Sequence, residues 1–218
     1  IMAPDGNKKL SKRDGAKGIL QYRDEGFLPE TMLNFLASLG WNDGTEQEIF
    51  SSAELVQKFS LDRVQRAGAR FDEQRLLWMN GSWIRSLDTA VIYTRCQAFW
   101  PESAMAYDDD YKKSVLALVQ ERLKYFAELP VLTNFFFTDL PVDINLIDSN
   151  KQLKKFSHDE LRTLLEQVKK ALETCDFTVI TLTNCLNTLL ETTGQKPGVL
   201  FSLIRIATTQ APASPGLA

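Results

Sequence analysis

From Ser86 to Thr209 apolar residues return every three or four positions, and no run in the chain sustains the period-two alternation of a half-buried strand. Spacing of that kind lines one face of a helix, so it restricts the fold to packed helices. Val115, Leu118, Val119, Leu123 and Phe126 mark one helix over 111–129, which Pro130 is expected to stop or to follow. Asp108, Asp109 and Asp110 precede it, where the helix dipole favours negative charge; a metal site is the competing reading of these three. Ser157-x-x-Glu160 is a capping box ahead of Leu161, Leu164, Leu165, Val168 and Leu172. Further helices are expected over 88–99, over 177–191 with Gly194 closing it, and over 198–209.

Before Ser86 the pieces are shorter. A helix between Gly18 and Gly26 is followed by one opening at Pro29, the proline suiting the first helical position. Met32, Leu33, Phe35, Leu36 and Leu39 form its stripe, and Gly40 ends it. Ser51-x-x-Glu54 is a second capping box, and Asp72 caps a helix carrying Leu76, Leu77 and Met79 that Asn80-Gly81 should close. The expected fold is mostly α: a small helical unit, then an all-α helix bundle, dividing near Ser86.

Composition excludes several classes. The 218 residues have room for one large domain or two small ones, and 44% hydrophobic with 24% charged residues is ordinary for a soluble chain. No apolar run approaches a membrane span, so no membrane partner is expected. The stretch from Ile1 to Gly6 has no basic head or long apolar run, so no signal peptide is expected. Cys96, Cys175 and Cys185 are scattered, which fits a reduced, cytoplasmic protein better than a disulfide framework or zinc site. A single histidine, His158, makes a Ser/His/Asp hydrolase hard to build, and its place at a helix start reads as surface. Trp41, Trp78, Trp83 and Trp100 read as core or interface anchors. A net charge of −3 is unlike a general nucleic-acid binder, yet a local basic patch can set binding on an acidic surface.

The densest such patch is Lys8, Lys9, Lys12 and Arg13 around Ser11. A glycine-bounded loop of this kind can close over a polyphosphate, with ammonium groups as point charges and backbone N–H groups as donors. The competing reading is a solvated basic turn.

Lys9-Leu10-Ser11-Lys12-Arg13 resembles the second signature of class I aminoacyl-tRNA synthetases in its KLSKR form. Asp5-Gly6 and Asp14-Gly15-Ala16 flank it as in glutamyl-tRNA synthetases of the bacterial type. The likeness continues through Tyr22 to Glu30, Asn34 to Trp41, Ala69-Arg70-Phe71-Asp72 and Leu77-Trp78-Met79-Asn80-Gly81. It returns at Leu203 to Ala207 and at Ser214-Pro215-Gly216-Leu217. Glutaminyl-tRNA synthetases share the loop but carry a β-barrel anticodon domain, which the helical pattern after Ser86 does not match.

The resemblance implies a C-terminal piece of such an enzyme. Residues 1–16 would be a remnant of the catalytic domain, 17–85 the stem-contact domain, and 86–218 the anticodon-binding domain, with subdomains meeting near 140–156. The parent enzyme would attach glutamate to tRNA using ATP and Mg2+. Lys12 would be the catalytic residue, stabilising charge on the ATP phosphates. Lys9, Ser11 and Arg13 would complete the ATP-binding loop. The family's other signature, HIGH, is absent, so the chain alone is expected to be inactive and to bind no cofactor. The expected partners are tRNA-Glu, with tRNA-Gln left open, and the missing N-terminal catalytic domain of a monomeric enzyme.

The tRNA contacts implied by the resemblance fall in three sets. Arg63, Arg66, Arg70 and Arg75 would face the tRNA stem; the alternative is surface pairing with Asp62, Asp72 and Glu73. Asn134 stands before Phe135-Phe136-Phe137, where some members carry an arginine that reads an anticodon base; core packing is the alternative for the aromatics. Lys196, Arg205, Thr208 and Gln210 would contact the anticodon, with Arg205 open to a capping or salt-bridge role. A nucleoside-modifying paralogue typically lacks the helical half. A helical protein-interaction module without an RNA role is the alternative of a different class.

Overall fold

Side chains and prolines fix where the helices begin. The computed structural model describes residues 1–3, 5–11, 13, 16–65, 68–211 and 214–217. They pack as two compact units, 1–133 and 134–218. The first holds α1 (Ile19–Asp24), α2 (Pro29–Ser38), α3 (Ser52–Lys58), α4 (Glu73–Ser86), α5 (Thr89–Arg95), α6 (Asp109–Val119) and α7 (Leu129–Thr133). The second holds α8 (Asn145–Asp148), α9 (His158–Leu172), α10 (Val179–Thr193) and α11 (Pro197–Thr209). Among the described residues there is no strand, only isolated bridges at Met2.

Ser51 and Ser157 open α3 and α9 with full capping boxes, Glu54 and Glu160 reaching back to the cap N–H. Asp72, Asp88, Asp108 and Thr178 cap α4, α5, α6 and α10 with side-chain oxygens. Proline occupies the first turn of α2 and of α11. Asp108 is therefore a cap, while Asp109 and Asp110 pair with Lys112 and Lys113 one turn on. Among the described residues no group of three or more acidic, Cys or His side chains could hold a metal ion.

The first unit centres on Tyr22, Phe27, Met32, Phe35, Leu76 and Met79, beside a smaller cluster of Trp41, Phe50 and Leu55. Burying each such side chain stabilises the fold by about 1.5–3 kcal/mol. Leu33 and Leu36 of the expected stripe are exposed, because α2 turns Thr31, Met32, Asn34 and Phe35 inward instead. Trp78 is also exposed on α4, unlike the buried Trp41 and Trp100.

Two expected boundaries move, for one reason. Helix α4 does not close at Asn80-Gly81 but runs on to Ser86. Asn80 is fully buried and spends its carboxamide on other segments: Oδ1 accepts from the Leu28 N–H at 2.9 Å, and Nδ2 donates to the Lys124 carbonyl at 2.5 Å. Gly81 leaves room for that backbone, since a Cβ there would lie 3.3 Å from the Leu123 carbonyl oxygen. The expected 111–129 helix correspondingly stops at Val119. The buried Gln120 donates to the Ile84 and Leu87 carbonyls, and the Phe126 and Ala127 N–H groups bond back to Gly26 and Glu25. Those bonds replace the helical ones. Leu118, expected on the buried stripe, is exposed. Pro130 lies in the first turn of α7, where a missing N–H is harmless, rather than ending a helix.

The second unit packs α9, α10 and α11 around Leu153, Leu161, Leu164, Leu186, Leu200 and Leu203. Gly194 closes α10 in the left-handed conformation. Among the described residues no helix is long and apolar enough to cross a membrane.

Candidate nucleic-acid interface

The basic N-terminal stretch leaves a small hairpin. Ala3 N–H donates to the Lys8 carbonyl and Leu10 N–H to the Ile1 carbonyl, at 2.9 and 3.0 Å, with the turn at Asp5 and Gly6. Lys9 and Arg13 are exposed and Ser11 is half-buried. Lys12, the expected catalytic residue, lies outside the described residues, as do Asp14 and Gly15.

The hairpin is tied to a distant segment. Met2 N–H donates to the Ala69 carbonyl at 2.8 Å and the Met2 carbonyl accepts from Phe71 N–H at 3.0 Å. This bridge lays the Arg70 guanidinium across Gly6: a Cβ at Gly6 would fall 2.5 Å from Arg70 Nε. Arg70 thus stands against the turn of the hairpin that precedes the signature. Arg63 instead donates to the Asp43 carbonyl, and Arg75 Nε lies 3.7 Å from Glu48. Arg66 is outside the described residues. The described arginines of this set therefore hold three separate places, with partners other than the acids adjacent in sequence.

Lys17 is a node the sequence did not single out. Its Nζ lies 2.8 Å from Glu25 and 3.6 Å from Glu73, over the Tyr22 ring. The hydrogen bond to Glu25 raises its pKa, and the nearby carboxylates add to this. No local pattern marks it, because its partners come from α4 and the end of α1.

In the second unit two of the expected sets meet. Phe135, Thr138, Leu140 and Val142 face Ala207, Thr208, Thr209 and Gln210 across a cleft of about 220 Å³. Phe135 and Phe136 lie with ring centroids 4.4 Å apart and planes tilted by 34°, both half-buried, while Phe137 is core. The Asn134 carbonyl accepts from the Phe137 and Thr138 N–H groups, making the turn that presents the rings. Gln210 ends α11 in the left-handed conformation, and its Oε1 accepts from Asp143 N–H at 3.0 Å, holding the far wall. Thr208 donates back to the Ile204 carbonyl. Leu140 and Val142 were not anticipated as lining residues, since their approach to α11 depends on the Gln210 tether.

The rest of the third set is elsewhere. Arg205 lines a different cleft, with Phe201 and Leu217, and its Nε donates to the buried Ser214 hydroxyl at 2.9 Å. Lys196 stands at the start of α11 without a side-chain capping bond, about 20 Å along the 13-residue helix from Gln210. His158 is exposed and 2.8 Å from Asp148.

A cleft with an aromatic wall, threonine and glutamine groups and one carboxylate, Asp139, has the makings of a base-stacking pocket. Residues 91–218 match the family profile described as "Anticodon binding domain", and the chain belongs to that family. Residues 1–78 match the profile described as "tRNA synthetases class I (E and Q), catalytic domain". The homologues are glutamate–tRNA ligases. One from Moorella thermoacetica is 34% identical over 224 residues, covering 100% of this chain and 45% of the relative. One from Flavobacterium psychrophilum is 41% identical over 152 residues, covering 63% and 30% respectively. The chain thus spans about half the length of the curated relatives it matches. The crystal structure of a glutamate tRNA ligase from Elizabethkingia meningosepticum in complex with its amino acid shares the fold. Its TM-score is 0.76 at 23% identity, over 100% of this chain and 46% of that one.

Proposed function

We propose that this chain is the tRNA-reading part of a glutamate–tRNA ligase, the enzyme that joins glutamate to its tRNA with ATP. The observation that carries this reading is the match along the whole chain to glutamate–tRNA ligases, with the anticodon-binding profile over 91–218. In functional terms residues 1–16 are the end of the catalytic domain, 17–85 contact the tRNA stem, and 86–218 bind the anticodon in two subdomains meeting near 140–156. These parts need not coincide with the packing units.

Lys9, Ser11, Lys12 and Arg13 serve the ATP phosphates in the parent enzyme, with Lys12 as the catalytic residue. Positive charge in a short loop suits that role. Mg2+ would accompany the nucleotide in the parent enzyme. The glutamate and adenine sites belong to the catalytic part outside this chain, so the chain alone turns over no ATP. Arg70 sits against the turn that precedes the signature loop, while Arg63, Arg66 and Arg75 serve the stem. Asn134, Thr208 and Gln210 border the cleft in which an anticodon base stacks on Phe135. Lys196 and Arg205 supply flanking cations. Such a protein works as a monomer in the cytoplasm.

The test is binding to tRNA-Glu, tRNA-Gln and an unrelated tRNA across a salt series. Tighter binding of tRNA-Glu, or of tRNA-Glu and tRNA-Gln together, is expected, and the choice between those patterns assigns the specificity class. Equal, purely salt-driven binding of all three sinks the anticodon assignment. Absence of binding to any RNA by the folded chain favours a helical protein-interaction module instead.

A further inference from the structure

Two of the three cysteines share a cleft separate from the one lined by Phe135 and Gln210. Cys175 lies in the turn after α9 and Cys185 in the second turn of α10, and both line a cleft of about 320 Å³ with Thr181 and Leu189. The turn is unusual in its backbone. Phe177 has φ of 57°, a left-handed conformation that costs a non-glycine residue about 1 kcal/mol or more. Asp176 holds it there, accepting from the Thr178 N–H at 2.9 Å and from the Thr181 hydroxyl.

The bend turns the Cys175 sulfur back onto α10. Its S–H points to Thr181 Oγ1 at 3.7 Å, and the Phe177 N–H donates to the sulfur at 3.4 Å. Thr181 and Cys185 are four residues apart on α10, hence on one face and about 5–6 Å apart at Cβ. The two thiols therefore look into the same space. Burial, together with the negative charge of a Cys175 thiolate, pushes the Cys185 thiol above its ordinary pKa. A soft cation between the sulfurs would relieve that repulsion. Cys96 is a contrast: it is fully buried in the first unit and its pKa is pushed up to about 12 by desolvation.

We propose that Cys175 and Cys185 act together as a dithiol site for a soft, thiophilic metal or metalloid centre. Bidentate capture by a trivalent arsenical is its simplest expression. With phenylarsine oxide two As–S bonds form, and the arsenic-bound oxygen leaves as water with the two thiol protons. No atom changes oxidation state. The product staples the turn after α9 to α10.

The test uses the whole chain with phenylarsine oxide as probe, read by intact-mass spectrometry and by melting temperature. One phenylarsenic group per native chain and a raised melting temperature are expected. Cys175→Ser or Cys185→Ser should weaken capture by about a hundredfold or more, since each leaves a single thiol without the effective concentration of its partner. Cys96→Ser should leave the capture of one phenylarsenic group unchanged, although a buried hydroxyl there lowers the melting temperature of the unreacted chain. Alanine versions are made alongside, and only variants with the wild-type helical CD spectrum are compared. No capture by the native wild-type chain, or equal capture by a folded single-thiol variant, overturns the proposal.

Discussion

Asn80 joins Leu28 to Lys124: its carboxamide accepts from the Leu28 N–H and donates to the Lys124 carbonyl, so one buried side chain fixes three segments. Removing it strands the buried Leu28 N–H and takes the donor from the part-buried Lys124 carbonyl. Asn80→Ala is expected to destabilise the chain by about 2–4 kcal/mol, read from urea unfolding. A loss well under 1 kcal/mol would mean that water replaces both bonds.

Gly26 has φ of 83°, and a Cβ there would lie 2.5 Å from Phe126 Cβ and 2.9 Å from the Phe126 nitrogen. Backbone strain and overlap add in one variant. Gly26→Ala should cost about 2–4 kcal/mol and lower the melting temperature. An unchanged melting temperature would contradict the close approach of these two segments.

Asp43 accepts from the Thr45 hydroxyl at 2.6 Å and from Lys58 at 2.9 Å, which hold its carboxyl at about 2, below the ordinary 3.8. Because the folded-state pKa is depressed, its contribution is complete above pH 3.8 and is lost as pH falls toward about 2. Asp43→Asn should therefore be less stable than wild type near neutrality, and the gap should close in acid. A gap that stays constant down to acid pH would assign the effect to something other than the carboxylate charge.

Arg205 is oriented by Ser214. If it meets a phosphate, Arg205→Gln should lower tRNA-Glu affinity about tenfold and reduce the salt slope by about one. Ser214→Ala keeps the charge and should leave the slope nearly intact. Equal slopes for Arg205→Gln and wild type would make Arg205 purely a clasp for the C-terminal turn.

Helix starts were readable because their determinants are local. Ser51 with Glu54, Ser157 with Glu160, and the capping aspartates bond to residues two or three positions away. The break after Val119 was not readable from its own apolar spacing. It depends on Asn80, Glu25 and Gly26, which are remote in sequence. The candidate site divides in the same way. The aromatic run and the polar end of α11 stand out as residues, but their meeting in one cleft rests on the bond between Gln210 and Asp143. The arginines between Arg63 and Arg75 look like one patch in sequence and take separate partners in space.

The locally written helix starts carry a consequence for time as well as shape. Single helical turns close in under a microsecond, whereas the Asn80–Lys124 bond must first close a 44-residue loop. In stopped-flow refolding the far-ultraviolet helical signal should therefore precede the near-ultraviolet signal of the packed tryptophans, and Asn80→Ala should delay only the second. A chain leaving the ribosome would carry its helices before it carries its core.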